Sequence, residues 1–190
     1  MRILALSILT AIALLTVGCW TLSVFPLYTE PDLRFDPNLL GTWSEMKTDG
    51  SADVWTFDKK SDQSYRLTVR EADNSEGPFD VHLLQLGDHL LLDFYPEPPE
   101  NENEIFSSHV ILAHSFWRVA LDKDSLRIAA LDNQWLRKQI EDGTITIGHL
   151  DREGVTVLTA PTADLQKFVR DHIEEAFDWS EAPLVRGKQD

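Results

Sequence analysis

Short segments in which apolar and polar residues alternate recur along the chain from residue 38 onward. In residues 65–70, for example, every second residue is apolar. A period of two is typical of a half-buried β-strand. Dipeptides that favour tight turns, Asp-Gly at 49–50 and Gly-Asp at 87–88, separate neighbouring segments. The pattern predicts an antiparallel meander with strands at residues 41–46, 54–57, 65–70, 79–86, 90–94, 110–121, 126–131, 145–150 and 155–159.

Two segments have the spacing of α-helices instead. Asp132 is a favourable N-cap for a short helix at Asn133–Glu141, and Gly143 stands where a C-cap glycine belongs. The second predicted helix begins near Thr162 and is amphipathic. We expect residues 179–190 to form a flexible tail behind it. The apolar stripe of the second helix consists of Leu165, Phe168, Val169, His172, Ile173, Ala176 and Phe177.

These elements predict a mainly β domain at residues 38–178. A closed barrel is the favoured arrangement because it removes exposed sheet edges, and a sandwich is the alternative. The start of the first strand, Gly41-Thr42-Trp43, resembles the Gly-x-Trp motif that opens the lipocalin-like, or calycin, barrels. The resemblance implies that Trp43 plugs the closed end of the barrel. It also implies that an arginine from a late strand packs on the Trp43 ring.

The amino terminus has the pattern of a secretory signal. Arg2 precedes an uncharged apolar run at residues 3–17, and Gly18 is a small residue suited to peptidase cleavage. Residues 16–19, Thr-Val-Gly-Cys, resemble the lipobox of bacterial lipoproteins. The resemblance implies that residues 1–18 are removed and that Cys19 is lipidated. Residues 19–37 are then expected to be the lipidated cysteine and a tether.

Two alternatives remain for this segment. No charged residue occurs between Ile3 and Tyr28, so the stretch is long enough for an uncleaved membrane anchor of about 20 residues. Ordinary secretion with a free thiol at Cys19 is the other. All three interpretations place the folded part outside the cytoplasm. The favoured one, the lipoprotein, places it in the cell envelope, anchored to a bacterial membrane and facing the periplasm or the exterior. Because Cys19 is the only cysteine, a disulfide within the chain and a Cys-rich zinc site are excluded.

Charge narrows the choice of partners. The 190 residues include 17 Lys and Arg against 32 Asp and Glu, a formal net charge of -15. This balance argues against a nucleic acid partner, which requires clustered basic residues. It also disfavours electrostatic docking on anionic lipid.

The sequence contains no recognisable catalytic motif and predicts no cofactor or metal. His82 and His89 lie on one predicted hairpin, but a zinc site needs a third ligand. Asp80, Asp88 or Asp93 could serve, but nothing in the spacing requires it. The acidic, proline-rich residues 96–104 include Glu97 and three other glutamates. They are expected to form a solvated loop, since calcium needs a regular arrangement of converging oxygens.

The apolar residues 110–121 carry the candidate ligand-binding side chains. On a strand, His114, Phe116 and Arg118 share one face, which is predicted to be the inner one. A buried arginine needs a carboxylate, a carbonyl or an aromatic ring as partner. Arg118 is therefore either an anchor for a ligand carboxylate or headgroup, or a structural arginine over Trp43 or Trp117. The predicted ligand-binding residues are His114, Phe116, Arg118 and Trp43.

Aromatic residues on the predicted strands either line a cavity or fill the barrel. The function that we favour is a non-catalytic, membrane-anchored envelope lipoprotein that binds a small apolar or amphipathic ligand. One alternative is an envelope module for protein–protein interaction through the acidic exterior. A further alternative is an enzyme whose histidines and carboxylates come from separate strands.

Overall fold

The computed structural model describes residues 20–46, 51–98, 103–180 and 182–187. Within these residues the chain is mainly β, with twelve strands and three α-helices. In chain order the strands are β1 (Thr21–Ser23), β2 (Leu33–Arg34), β3 (Gly41–Met46), β4 (Ala52–Lys59), β5 (Tyr65–Arg70), β6 (Glu76–Leu86), β7 (His89–Pro96), β8 (Ser115–Leu121), β9 (Ser125–Ala130), β10 (His149–Arg152), β11 (Val155–Leu158) and β12 (Leu184–Arg186). The helices are α1 (Glu104–Ser107), α2 (Asn133–Glu141) and α3 (Thr162–His172).

Eight of the described strands form a closed antiparallel barrel of lipocalin-like type. Strands β3 to β9 pair each with the next along the chain, and β12 lies between β9 and β3. Pairing of β6 with β7 completes the ring. The prediction of a lipocalin-like antiparallel meander is confirmed. A barrel arises because every strand is amphipathic or apolar and closure leaves no unpaired edge.

The expectation of a flexible tail at residues 179–190 is wrong for the part that the structure describes. Leu184 is 2% exposed, and β12 pairs with β3 through Val185 and Arg186. The tail was misjudged because three strand residues are too few to show a period. Strand β12 therefore closes the ring of strands between β9 and β3.

The expectation of a tether at residues 19–37 is also wrong from Trp20 onward. Strand β1 pairs in parallel with β11, and Leu27 is fully buried. The Gln166 side chain on α3 donates a hydrogen bond of 2.8 Å to the carbonyl of Leu27. Its prolines and its lack of a hydrophobic period are typical of a linker, but this segment is ordered by contacts with distant parts of the chain.

Both predicted helices are present. The Asp132 carboxylate caps α2 by accepting hydrogen bonds from the amides of Gln134 and Trp135. Helix α3 ends at His172, which is shorter than its apolar stripe implies. The chain continues as turns, and the stripe residues beyond α3, including Phe177, remain buried.

Two apolar cores result. The inner core lies inside the barrel and includes Trp43, Leu92 and Trp117. The outer core lies between the barrel wall and α3 and includes Leu91, Phe116 and Phe168. Along β7 and β8, successive residues alternate between the two cores, so both faces of these strands are buried. No helix in the described part of the chain is long and apolar enough to cross a membrane.

The remaining differences concern strand bounds. The stretch predicted at residues 110–121 becomes a strand only from Ser115, and the one predicted at 145–150 only from His149. Strands β10 and β11 belong to a separate three-stranded sheet with β1. Of the predicted loop at 96–104, residues 99–102 lie outside the described residues.

Candidate functional site

The end of the barrel at which β3 begins is closed by packed side chains. Trp43 is fully buried, and its indole N–H donates a hydrogen bond of 2.9 Å to the carbonyl of Leu39. Phe57, Tyr65 and Leu67 fill the space around it. Burial raises the pKa of Tyr65 to about 12, so its hydroxyl stays protonated and donates to the carbonyl of Asp36. Trp43 therefore has the plugging position that the resemblance implied.

Arg186 completes this closed end. Its guanidinium carbon lies 4.0 Å from the centroid of the Trp43 ring, and the group donates hydrogen bonds to the carbonyls of Asn38 and Leu40. Gly41 has a φ of 112°, and a Cβ there would lie 3.3 Å from an Arg186 nitrogen. The Gly-x-Trp motif thus provides both the ring and the space that the arginine needs. Arg186 was missed because it lies in the segment expected to be a tail.

The opposite half of the barrel contains a cavity of about 790 Å³. Its walls are mainly apolar, and aromatic rings contact one another along them. Phe94 stacks on Trp117 at 5.3 Å between centroids, and Trp55 meets the same indole edge-on at 5.8 Å. The Trp117 N–H donates to the Ser115 hydroxyl, so no polar group of that indole is left unsatisfied. The barrel is packed at one end and open at the other.

The mouth of the cavity combines an aromatic residue with carboxylates. Trp20 lies 5.2 Å from Trp117 between ring centroids and is 50% exposed. Asp53, Glu71 and Glu76 line the cavity on the side of β4 to β6. Among the described lining residues there is no lysine or arginine. Arg70, which is not among the lining residues, lies 3.8 Å from the Glu76 carboxylate and offsets its charge. The site therefore presents an apolar interior with a rim lined by carboxylates.

Three of the four predicted ligand-binding residues do not face this cavity. His114 precedes β8 and Phe116 and Arg118 lie on it, all on the outer side of the barrel, whereas Trp117 and Val119 point inward. The predicted face was wrong because the outer wall of β8 is covered by other parts of the chain. Both faces are then apolar, and alternation alone does not distinguish inside from outside. Trp43 does lie inside, but at the packed end.

Arg118 fastens the turn after α3 to the barrel. Its guanidinium donates to both carboxylate oxygens of Glu174, at 2.9 and 2.8 Å, and to the carbonyl of Ile173 at 3.3 Å. The Trp179 ring lies 5.2 Å from its central carbon. The hydrogen bonds from Arg118 hold the pKa of Glu174 below its usual range. These contacts fit a structural arginine better than an anchor for a ligand. The aromatic ring beside Arg118 is that of Trp179, whereas Trp43 or Trp117 was expected.

His114 contacts a buried carboxylate on the outer wall. Its Nδ1 lies 2.6 Å from one oxygen of Asp93, and the other oxygen accepts a hydrogen bond of 2.7 Å from the amide of Leu27. Asp93 is fully buried, and this burial raises the pKa of its carboxyl group. The pair joins the amino-terminal segment to β7 and lies on the opposite side of the wall from the cavity.

The other candidate metal ligands are dispersed. The His82 ring stacks on Tyr28 at 4.4 Å, whereas the His89 Nδ1 contacts Arg118 at 3.2 Å. The Glu97 carboxylate forms ion pairs with Lys60 and Arg66. In the described ranges, no three His, Cys, Asp or Glu side chains converge as a metal site. Cys19 lies outside the described residues.

In comparisons with known proteins, the chain matches no family model, and no curated protein or solved structure is significantly similar to it. The geometry of the barrel therefore carries the functional argument.

Proposed function

We propose that the chain is a non-catalytic lipoprotein of the bacterial cell envelope, anchored through lipid on Cys19, whose barrel binds a small apolar or amphipathic ligand. The observation that carries the binding function is the open aromatic cavity of about 790 Å³. Small-molecule sites are typically concave, mostly apolar and about 300–1,000 Å³ in volume. The lipobox-like residues 16–19 support the anchor.

The rim decides which headgroup fits. A ligand that buries its apolar part between Trp55 and Trp117 would leave its polar end near Glu71, and near Glu76 with its partner Arg70. A carboxylate or phosphate there meets like charge, whereas a neutral or cationic group does not. The expectation of an anionic headgroup depended on Arg118, which lies on the outer wall. We therefore propose a ligand with a neutral or positively charged headgroup.

Binding is tested on the chain from Trp20 onward, which contains every described element. The probe is N-phenyl-1-naphthylamine, a neutral aromatic molecule whose fluorescence rises in apolar surroundings. Ala130 lines the cavity beside Trp117, so Ala130→Trp should obstruct part of the space and weaken the fluorescence rise. Arg118→Met, on the outer wall, is the control and should bind the probe like the wild type. Equal binding by the Ala130→Trp variant would contradict the proposal.

The anchor is tested separately on the full chain. Mass spectrometry of the mature protein should find Cys19 at the amino terminus with diacylglycerol on its sulfur. Cys19→Ala should leave an unprocessed or a soluble chain. A mature protein that begins elsewhere and carries an unmodified Cys19 would contradict the lipoprotein assignment without affecting the cavity.

A further inference from the structure

One side of the cavity mouth exposes apolar side chains to solvent. Ile111 is 82% exposed and Ile105 is 75% exposed, and three further apolar side chains are between 41% and 51% exposed. We name this set the apolar lip. It consists of Trp20, Ile105, Phe106, Val110 and Ile111.

Topology places the apolar lip at the open end of the barrel. Strand β7 runs toward that end and β8 returns from it, so the connection between them, residues 97–114, emerges there. Ser23 and His114 exchange two backbone hydrogen bonds of 2.8 Å, which place one end of β1 beside the start of β8. At the other end of β1, Trp20 pairs with Asp132, just after β9, so the exposed residues belong to the side of the mouth formed by β7 to β9. Met46 and Ala52, where the described parts of β3 and β4 meet at this end, are four strands away around the ring, on the opposite side of the mouth.

The mouth differs in chemistry from side to side, although Asp132, which caps α2, also lines the cavity beside Trp20. Residues 105–113 contain no lysine, arginine, aspartate or glutamate. The carboxylates of Asp53, Glu71 and Glu76 belong to the side formed by β4 to β6. A concentration of exposed apolar side chains on a soluble protein marks a contact with a partner or a membrane. Tryptophan beside aliphatic residues is typical of the boundary between lipid and water.

We propose that the apolar lip inserts into the surface of the bilayer that holds the lipid anchor, so that the mouth of the barrel faces the membrane. The proposal rests on the proposed lipidation of Cys19. Consecutive Cα atoms are about 3.8 Å apart, so lipid on Cys19 would be attached directly beside Trp20. Trp20 lines the cavity and contacts Trp117 inside it. An anchor at this point holds the mouth, rather than the closed end, against the bilayer.

The orientation has a consequence for ligand exchange. Lipid and cavity share the aromatic boundary formed by Trp20 and Trp117, so an apolar ligand passes between them without crossing bulk water. Insertion relies on apolar contact, because the net charge of -15 gives no attraction to anionic lipid. The acidic side of the mouth then tilts away from the headgroups and stays in water.

The test uses the full-length lipidated chain reconstituted in phosphatidylcholine vesicles. Ile111→Cys and Val185→Cys place a nitroxide label at two exposed aliphatic positions; Val185 lies on β12 near the closed end. Electron spin resonance then compares collisions of each label with oxygen, which concentrates in lipid, and with a water-soluble nickel chelate. The wild-type chain, treated identically, reports any label taken up by Cys19.

The proposal expects the label at position 111 to lose its accessibility to the nickel chelate and to collide with oxygen, and the label at position 185 to do the reverse. A label at position 111 that is as accessible to the chelate as the one at 185, on a chain that floats with the vesicles, overturns the orientation and leaves the lipid anchor intact. A wild-type chain that takes up label at Cys19 and does not float overturns the anchor and the orientation together.

Discussion

The guanidinium of Arg186 lies 4.0 Å above the ring of Trp43, so the last described strand of the chain locks the first strand of the barrel. The two residues are 143 positions apart in sequence, and only closure of the barrel brings them together. The same group donates to the carbonyls of Asn38 and Leu40 in the turn before β3. A planar, always charged group suits this place, because it stacks and donates at once.

Replacing Arg186 with methionine should lower the free energy of unfolding by about 1–3 kcal/mol, since a cation–π contact and hydrogen bonds to carbonyls are lost. Urea unfolding monitored by circular dichroism measures the change. Arg186→Lys keeps the charge but not the planar fork, and should fall between the wild type and the methionine variant. Equal stability of all three would mean that the end of the chain does not contribute to barrel closure.

Trp43→Ala should cost about 3–5 kcal/mol, the usual range for removing a large aromatic side chain from a packed core. Trp43 is fully buried among Phe57, Tyr65 and Leu67, so water cannot readily enter the cavity that the substitution would leave. Trp20→Ala is the matched control, because Trp20 is half exposed. A loss below about 1 kcal/mol for Trp43→Ala would contradict the plugging role.

The alternation of residues predicted the meander and the barrel well, because most strands have one face against the inner core. It failed where tertiary contacts outweigh the local pattern. Both faces of β8 are buried, so alternation did not show which face is the inner one. Phe116 and Arg118 were expected to face inward, but Trp117 and Val119 do. The sequence places aromatic residues on the strands that form the cavity walls. It gives no volume, so it does not decide whether these side chains line a cavity or fill the barrel.

The ends of the chain were the least predictable. Segments around Leu27 and Leu184 are short and interrupted by prolines, and each is ordered only by residues far away in sequence. The resemblance to lipocalins did imply a late arginine on Trp43. Its identity required the pairing of β12 with β3.

The buried carboxyl of Asp93 should make stability fall as pH rises. Burial raises its pKa above the ordinary value of 3.8 for an aspartate, against the opposing influence of His114 and of the Leu27 amide. The folded state therefore binds this proton more tightly than the unfolded state does. This contribution to stability is complete below about pH 4 and is lost as pH rises through the folded pKa, with a slope of up to about 1.4 kcal/mol per pH unit.

Asp93→Asn removes the titration while its amide oxygen still accepts the Leu27 N–H. Urea unfolding of both proteins between pH 4 and 7 should show the wild type losing stability relative to the variant as pH rises. A difference between the two proteins that does not change with pH would show that Asp93 has a similar pKa in the folded and unfolded states.

Arg118→Met should weaken the attachment of the turn after α3, because the Ile173 carbonyl and the Glu174 carboxylate lose their donor. We expect a loss of about 0.5–1.5 kcal/mol, the usual contribution of one hydrogen bond, because the Arg118 side chain is only 12% exposed, whereas the pair with Glu174, which is 65% exposed, adds little. Hydrogen exchange of residues 173–177 should become faster, while the cavity keeps its affinity for a neutral probe. Loss of probe binding by a folded Arg118→Met variant would indicate that Arg118 does contribute to ligand binding.

The acidic rim should set the preference for the headgroup. Glu71→Lys changes the charge at the mouth by two units, and Asp88→Lys makes the same change in an exposed turn at the closed end. For a cationic amphiphile, Glu71→Lys should weaken binding by about twofold to fivefold, which corresponds to about 0.5–1 kcal/mol for an exposed charge pair. A neutral amphiphile of the same length should bind both variants like the wild type. Because exposed charges are screened by salt, the effect should shrink at high ionic strength. If Asp88→Lys weakens the cationic ligand as much as Glu71→Lys does, the cause is the net charge of the protein and the rim has no selective role.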